Sequence, residues 1–468
     1  MPNGLAYLAL LAWPAVTIAL FRMLSVERAV IWSILGGYLL LPPIAAFDFP
    51  LIPRLDKFSI ATLSAYAACV VILGHRVPLL PTSMIGRVLM LLFVISPVMT
   101  VLTNPDPIYF TLTAIPGLRI HDSIAAVATQ AIAILPFFLA RRFLATETAQ
   151  REILVALVVA GLAYSVPMLI EVRLSPQINI WVYGFFQHDF IQMIRYGGFR
   201  PIVFLPHGLW AAFFALMALV DAVGLLRFGP PQRRASYMAA AGYLGVVLLL
   251  CKSAAVLVYA ALLLPTVRLL SVRQQIRIAA ALALFAVLFP LLRGADLVPV
   301  DWVVAQAETV SEERAGSLQF RLDNEDALLA RASERPLFGW GSWGRNLIHD
   351  PYSGELVSTT DGRWIIVIGT LGWCGYIVEF GLLALPLLML ARPSITRHGA
   401  TLSPCSGTIG LLLAFNIIDM LPNATLIPFT WLIAGALLGY AEALATGSAC
   451  ASDESRERAP APPPRTVL

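Results

Sequence analysis

Apolar residues run in blocks of roughly 17–25 along almost the whole chain, the length an α-helix needs to cross a bilayer. These blocks predict membrane helices near residues 4–21, 29–46, 58–74, 84–102, 122–140, 152–171, 203–226, 236–250, 253–267, 277–293, 364–391, 405–421 and 424–444. The two short helices around Cys251-Lys252-Ser253 predict a tight re-entry, with Lys252 at the membrane surface. Pro43, Pro136, Pro167 and Pro265 fall in or near helices and are expected to kink them. Two polar intervals interrupt the pattern. One, residues 172–202, is rich in aromatics (Trp181, Tyr183, Phe185, Phe186, Phe190, Tyr196). The other, 294–363, holds twelve of the 28 acidic residues, and its Trp302, Phe320, Leu328, Leu329, Phe338, Trp340 and Trp343 argue for order. Helical spacing there covers 321–333, with Leu322, Leu328, Leu329 and Ala332 on or near one face.

Composition turns this pattern into a class. Of 468 residues, 59% are hydrophobic and 13% charged, with mean hydropathy +0.79; a soluble protein carries about 25% charged residues. A soluble enzyme is excluded. The expected fold is an all-α integral membrane protein of about 12–13 transmembrane helices with a long, partly helical outer loop. It divides into an N-terminal bundle (1–293), the loop (294–363), C-terminal helices (364–446) and a polar, Pro-rich tail (447–468) expected to be disordered. Arginines concentrate in alternate connections, which predicts the N-terminus outside and the C-terminus inside. The opening Met1-Pro2-Asn3 lacks the cationic region of a cleavable leader. The net charge of +4 is scattered, so no nucleic-acid partner is expected. Cys69, Cys251, Cys374, Cys405 and Cys450 lie far apart and read as small core residues. No internal repeat is evident.

The sharpest chemical pattern lies in the long loop. It begins with Arg321-Leu322-Asp323-Asn324-Glu325 and continues with Arg335-Pro336-Leu337-Phe338-Gly339-Trp340-Gly341-Ser342-Trp343-Gly344-Arg345. After a gap come Asp361-Gly362-Arg363, then Gly369, Gly372 and Gly375. Gly339, Gly341 and Gly344 would let backbone approach a ligand and turn its N–H groups to an anion. The arginines supply forked, permanent donors for phosphate oxygens. The expectation is an anion-binding loop on the outer membrane surface.

In order and spacing these residues resemble the bacterial O-antigen ligase and O-antigen polymerase superfamily. Two earlier segments share the resemblance: Arg195-Tyr196-Gly197-Gly198-Phe199 followed by Pro206-His207, and Leu250-Cys251-Lys252-Ser253-Ala254-Ala255, with Lys252 in an arginine position. The likeness covers roughly residues 190–390. It implies an inner-membrane glycosyltransferase acting at the periplasmic face, ligating or polymerising a glycan carried on undecaprenyl diphosphate. It also implies no cofactor, no metal and inversion at the anomeric carbon. Implied partners are the lipid-linked oligosaccharide donor, a glycan acceptor, membrane lipids, a flippase and a chain-length regulator. Two positions depart from the family pattern: Asp361-Gly362 stands where the family has His-Asn, and Glu325 stands where it has Trp. These departures fit a sub-branch acting on some other exopolysaccharide.

On this reading Arg195, Arg200, Lys252, Arg321 and Arg345 bind the diphosphate. Asp361 is the preferred general base, His349 its rival, and Glu325 and His207 are further candidates. Each has a plainer reading. Arg321 and Arg345 could be solvated or salt-bridged loop arginines, while Arg195, Arg200 and Lys252 could anchor head groups or snorkel. Asp361 could cap the helix that follows. His349 could be an exposed loop residue, His207 a hydrogen-bonded buried one, and Glu325 part of a solvated helix face. Glu379, inside an apolar block, is expected to pair with a neighbouring helix. A transporter or flippase for a glycolipid or other anion is the alternative, with Glu379 as its coupling group.

Overall fold

The computed structural model describes residues 1–49, 53–295, 297–310, 312–396 and 401–447. The expected disordered tail, apart from its first residue, lies outside them, as does Cys450. Among the described residues the helices are α1 (Gly4–Met23), α2 (Val26–Leu40), α3 (Lys57–Ala67, continued by a π-helical turn Ala68–Ile72) and α4 (Met84–Leu102). A hairpin follows, β1 (Ile108–Tyr109) with β2 (Ala114–Ile115), and then α5 (Ile120–Phe143), α6 (Glu147–Leu174) and α7 (Ile178–Tyr183). A second hairpin, β3 (Ile194–Arg195) with β4 (Gly198–Phe199), precedes α8 (Gly208–Phe228), α9 (Arg234–Leu250), α10 (Ala254–Leu269) and α11 (Val272–Gly294). The long loop contains α12 (Val300–Val310) and α13 (Glu312–Ser333), and the chain closes with α14 (Arg363–Leu390), α15 (Pro404–Asp419) and α16 (Pro428–Ala445).

This is an all-α membrane protein. Each of the thirteen apolar blocks coincides with a helix, and among the described residues eight helices are long and apolar enough to cross a membrane. α8, α14, α15 and α16 lie inside the bundle. Their apolar residues recur all round the helix, as a span surrounded by other helices requires. The helix expected at 321–333 extends back to Glu312.

Side-chain links sort the connections onto two faces. On one face Asn3 bonds to Val182, Lys57 to Phe204, Lys252 to Arg195 and Arg345 to Asp106. The N-terminus therefore shares a face with both long polar intervals. On the opposite face Arg28 pairs with Glu152 and Arg141 with Glu442. This alternation is what an odd number of crossings produces.

The prolines expected to kink helices do not set the main irregularity. Pro136, Pro167 and Pro265 sit within continuous helices, and Pro43 lies beyond the end of α2. The break falls in α14 at Gly372, with φ 67° and ψ −168°. Backbone groups freed there must find partners, because hydrocarbon offers none. The segment Pro336–Gly341 supplies them: Trp373 and Cys374 donate to the carbonyls of Pro336 and Leu337, and Trp340 and Gly341 donate to those of Gly369 and Thr370. Glu379 pairs with Arg363 across the break at 2.6 and 2.7 Å, so the pairing expected with a neighbouring helix is made within α14 itself.

A Cβ on Gly372 would lie 2.4 Å from the Leu337 carbonyl. Gly372→Ala is expected to lower stability by about 3 kcal/mol, through left-handed strain and displaced backbone. Gly242→Ala, whose Cβ meets nothing within 4 Å in α9, is expected to gain ~0.5 kcal/mol. Melting of the purified protein in detergent measures both.

Candidate functional site

The site is built around an irregular, turning segment, residues 200–207, which makes few backbone bonds of its own. Glu171, near the end of α6, accepts the N–H groups of Ile178 (3.0 Å), Ile202 and Val203 (both 2.8 Å). The Tyr164 hydroxyl accepts the Phe204 N–H at 3.0 Å. Lys57 Nζ donates to the Phe204 carbonyl at 2.8 Å, and Gln187 donates to those of Val203 and Leu205. Val203 is held at φ 52°, a conformation that a β-branched residue rarely adopts. The two ends of the segment, Arg200 and His207, are thereby fixed.

Arg200 is 5% exposed, and its buried Nε has no hydrogen-bond partner among the described residues. His207 caps α8: its Nδ1 accepts the Leu209 N–H at 2.9 Å. The proton of the neutral ring therefore sits on Nε2. Burial pushes His207 down to about 3, helped by the neighbouring His188, Arg200, Arg195 and Arg321. The ring stays neutral at physiological pH and offers one N–H donor. Its centroid lies 4.4 Å from that of His188.

Arg195 enters from the β3–β4 hairpin, whose turn residues Tyr196 and Gly197 both have positive φ (50° and 66°), as a tight hairpin requires. Lys252, in the turn between α9 and α10, donates to the carbonyl of Arg195 at 3.2 Å. A Cβ on Gly198 would lie 2.2 Å from Lys252 Nζ, so the glycine admits the lysine. The re-entry expected at Lys252 is present.

Helix α13 closes the site. Arg321 Nε lies 3.3 Å from Asp361 Oδ2, and Glu325 follows one turn along the same helix face. The Trp364 indole donates to Glu325 at 3.4 Å. Burial pushes Glu325 up to about 7, only partly offset by Trp364 and Arg293. Asp361 does not cap α14; that position is Gly362. Nearby, a cavity of 330 Å³ is walled by Phe58, Ile132, Leu426, Ile427 and Trp431, with Arg54 and Arg363 among its polar residues. One wall, Phe58, stacks on Trp210 just beyond His207; Arg363 is two residues from Asp361.

Arg195, Arg200, Lys252, His207, Arg321, Asp361 and Glu325 thus converge on one end of the bundle. The remaining candidates do not join them. Arg345 is 1% exposed and donates to the carbonyls of Trp340 (3.2 Å), Pro116 (2.8 Å) and Asp106 (2.9 Å). Its guanidinium is engaged in holding loops together and is not turned to a diphosphate. The ring nitrogens of His349 lie against the carbonyls of Gly344 and Gly354. Gly339 presses into the α14 break, Gly341 packs against Leu118 and Thr100 while its N–H bonds to Thr370, and Gly344 lies beside His349, so the glycines serve packing where anion binding was expected.

Sequence reasoning missed Glu171, Lys57, Gln187, His188 and Trp364. Glu171, the last residue of its apolar block, carried a usable signal, since a charge there is costly and marks a specific partner, whereas Lys57 just precedes its block. Among the described residues no three His, Cys, Asp or Glu side chains converge as a metal set would.

The fold and these internal charges define a multi-pass membrane protein with a cation-rich site at one end of its bundle. No family model matches this chain, and neither does any curated protein sequence.

Arg345→Ala would leave three carbonyls without their donor and is expected to cost ~3–5 kcal/mol in stability. Arg345→Lys should not restore it, because an ammonium cannot reproduce the planar fork. Arg321→Ala, at a half-exposed position, should leave melting unchanged. Thermal unfolding in detergent separates the two arginines.

Proposed function

We propose that the chain is a membrane glycosyltransferase that transfers or polymerises a glycan carried on a polyprenyl diphosphate, in the manner of the O-antigen ligases and polymerases its motifs resemble. Its setting is the bacterial inner membrane, with the site at the periplasmic face. The observation that carries this reading is Arg200: a buried guanidinium with an unpartnered Nε, among Arg195, Lys252, Arg321 and His207. Arg195 and Arg321 stand exposed beside it, and a buried cation with no carboxylate at its Nε is costly unless an anion joins it. A diphosphate would supply the charge, and the neighbouring apolar cavity would take the start of the isoprenoid.

In the reaction, an acceptor hydroxyl oxygen attacks the anomeric carbon of the donor sugar. The bond from that carbon to the diphosphate oxygen breaks, the diphosphate leaves with the electron pair, and direct displacement inverts the carbon. Arg195, Arg200 and Arg321 stabilise charge growing on the leaving group, usually the largest catalytic contribution at such a site. His207 donates its Nε2–H without adding charge. The hydroxyl proton passes to Glu325, whose affinity near neutrality suits a general base better than an Asp361 already engaged by Arg321. Asp361 then positions Arg321. No cofactor or metal enters this scheme. A glycan acceptor, a flippase delivering the donor and a chain-length regulator are the partners it calls for.

A coupled transporter for a glycolipid or other anion is the second reading, and Asp221 is the observation in its favour. Both carboxylate oxygens are buried within α8 without a partner among the described residues, and such intramembrane acids often carry coupling ions.

The test is extension of a lipid-linked oligosaccharide by the purified protein in detergent, which transport alone cannot produce. Arg200→Ala is expected to lower turnover by at least ~100-fold. A base must be unprotonated to act, so activity should climb from pH 5 to 8 with its inflection near 7. Glu325→Gln should abolish activity, and with it that limb. An inflection that survives in Glu325→Gln would remove Glu325 as base, and a wild-type protein that extends no acceptor would remove the enzyme.

A further inference from the structure

On the other side of α13 from Arg321 and Glu325 lies a second cavity, of 480 Å³, on the same face of the bundle. That is within the range of about 300–1,000 Å³ typical of small-ligand sites. The helix explains the separation. At 100° per residue Arg321, Glu325, Leu328 and Ala332 share one stripe, whereas Ala327, Ala330 and Arg331 share another on the opposite side, with Glu334 in the turn just past the helix end. The second stripe lines the cavity. Facing it are Tyr109 and Phe110 of the β1–β2 hairpin, with His349 behind.

The lining has an apolar and a polar character side by side. Ala327 and Ala330 leave a shallow floor. Tyr109 is 77% exposed, and Phe110 is braced by the His349 ring at 5.4 Å. Across from them Arg331 donates to Glu334 at 2.7 Å, a planar ion pair whose carboxylate is 54% exposed. The Arg331 guanidinium is fixed in turn, 3.4 Å from the centre of the Trp340 ring.

The walls are rigidly built, and by the residues that the cationic site does not use. Arg345 ties the carbonyls of Asp106 and Pro116, on either side of the hairpin, to the glycine-rich segment. Thr111 and Leu112 donate to the carbonyls of Pro351 and Tyr352, stitching the hairpin to the opposite loop. His349 spans the carbonyls of Gly344 and Gly354. Trp340 and Arg345, from the segment that plugs the break in α14, thus brace the residues that line and flank this cavity.

We infer that this groove is a glycan subsite, holding a sugar of the acceptor chain at some remove from the bond being formed. A pyranose has an apolar C–H face, which suits Tyr109 and Phe110, and a rim of hydroxyls that both donate and accept, which suits the Arg331–Glu334 pair. A phosphate would meet the exposed Glu334 charge, and an acyl chain would leave the ion pair without polar company. The groove lies one helix diameter, ~10 Å, from Glu325, a span that a few linked sugars cover. The assignment rests on the glycosyl-transfer reading for its place in the reaction.

Two measurements on the full-length protein in detergent test it. The first is saturation-transfer NMR with oligosaccharide released by mild acid from the producing cell's own surface polysaccharide. Wild-type protein should saturate the sugar protons, and the exposed-residue variants Tyr109→Ala and Glu334→Gln should lose the effect. Absence of transfer with wild-type protein, or transfer unchanged in both variants, overturns the subsite. The second compares a one-sugar with a multi-sugar acceptor in the extension assay. Both variants should raise KM for the long acceptor about tenfold, roughly the loss of one good contact, with kcat and the short acceptor unchanged. Equal effects on both acceptors, or none, also overturn it. A protein that binds the oligosaccharide in the groove yet extends nothing would keep the subsite and remove the transferase.

Discussion

The site depends on one carboxylate doing the work of missing secondary structure. Between α7 and α8 the chain leaves the helical state near the end of the bundle, where water is scarce and every amide needs a partner. Glu171 takes two of those amides, Ile202 and Val203, and a third at the start of α7, Ile178. Tyr164, Lys57 and Gln187 satisfy the adjoining groups from three other directions. Because that segment is so fully bonded, Arg200 remains buried without a partner for its Nε among the described residues, and the neutral His207 ring is held by the Leu209 N–H. Preorganisation of this kind is what lets charge in a dry place act on a ligand and not collapse onto its own neighbours.

The second half of the site is held by a different device. α14 is interrupted at Gly372, and the interruption is filled by the chain that precedes it. Arg363 and Glu379 span the interruption, while Trp364 reaches Glu325 and Asp361 reaches Arg321. Four consecutive residues, 361–364, thus connect α13 to the irregular point of α14. The cationic end of the bundle and the long polar interval are coupled through this short stretch.

Much of the architecture was legible because hydrophobic blocks report helices directly: all thirteen were helical, and the turn at Lys252 fell where charge and length placed it. Residue order also placed Arg195, Arg200, Lys252 and Arg321 on a shared face. The glycines and Arg345 misled for a physical reason. A left-handed glycine and a forked cation look identical in sequence whether they approach a phosphate or a carbonyl. Only the position of the α14 break distinguishes the two, and Gly372 resembles any other glycine in a helix. Glu325 was legible as a departure from the pattern of the family that the motifs resemble, but its affinity near neutrality comes from burial, which outweighs the opposing Trp364 hydrogen bond and which spacing does not encode. Asp361 does not cap α14, and its carboxylate pairs with Arg321.

The approach of Gly339 to Gly372 constrains what the chain could become. A Cβ on either would run into main chain contributed by the other's segment: Thr370 to Gly372 for the first, Leu337 and Phe338 for the second. Clashes between side chains are commonly relieved by shrinking the opposing partner, but here both sides are already at the minimum size. Neither position has a compensating substitution across the contact, so a side chain gained at one could not be rescued at the other.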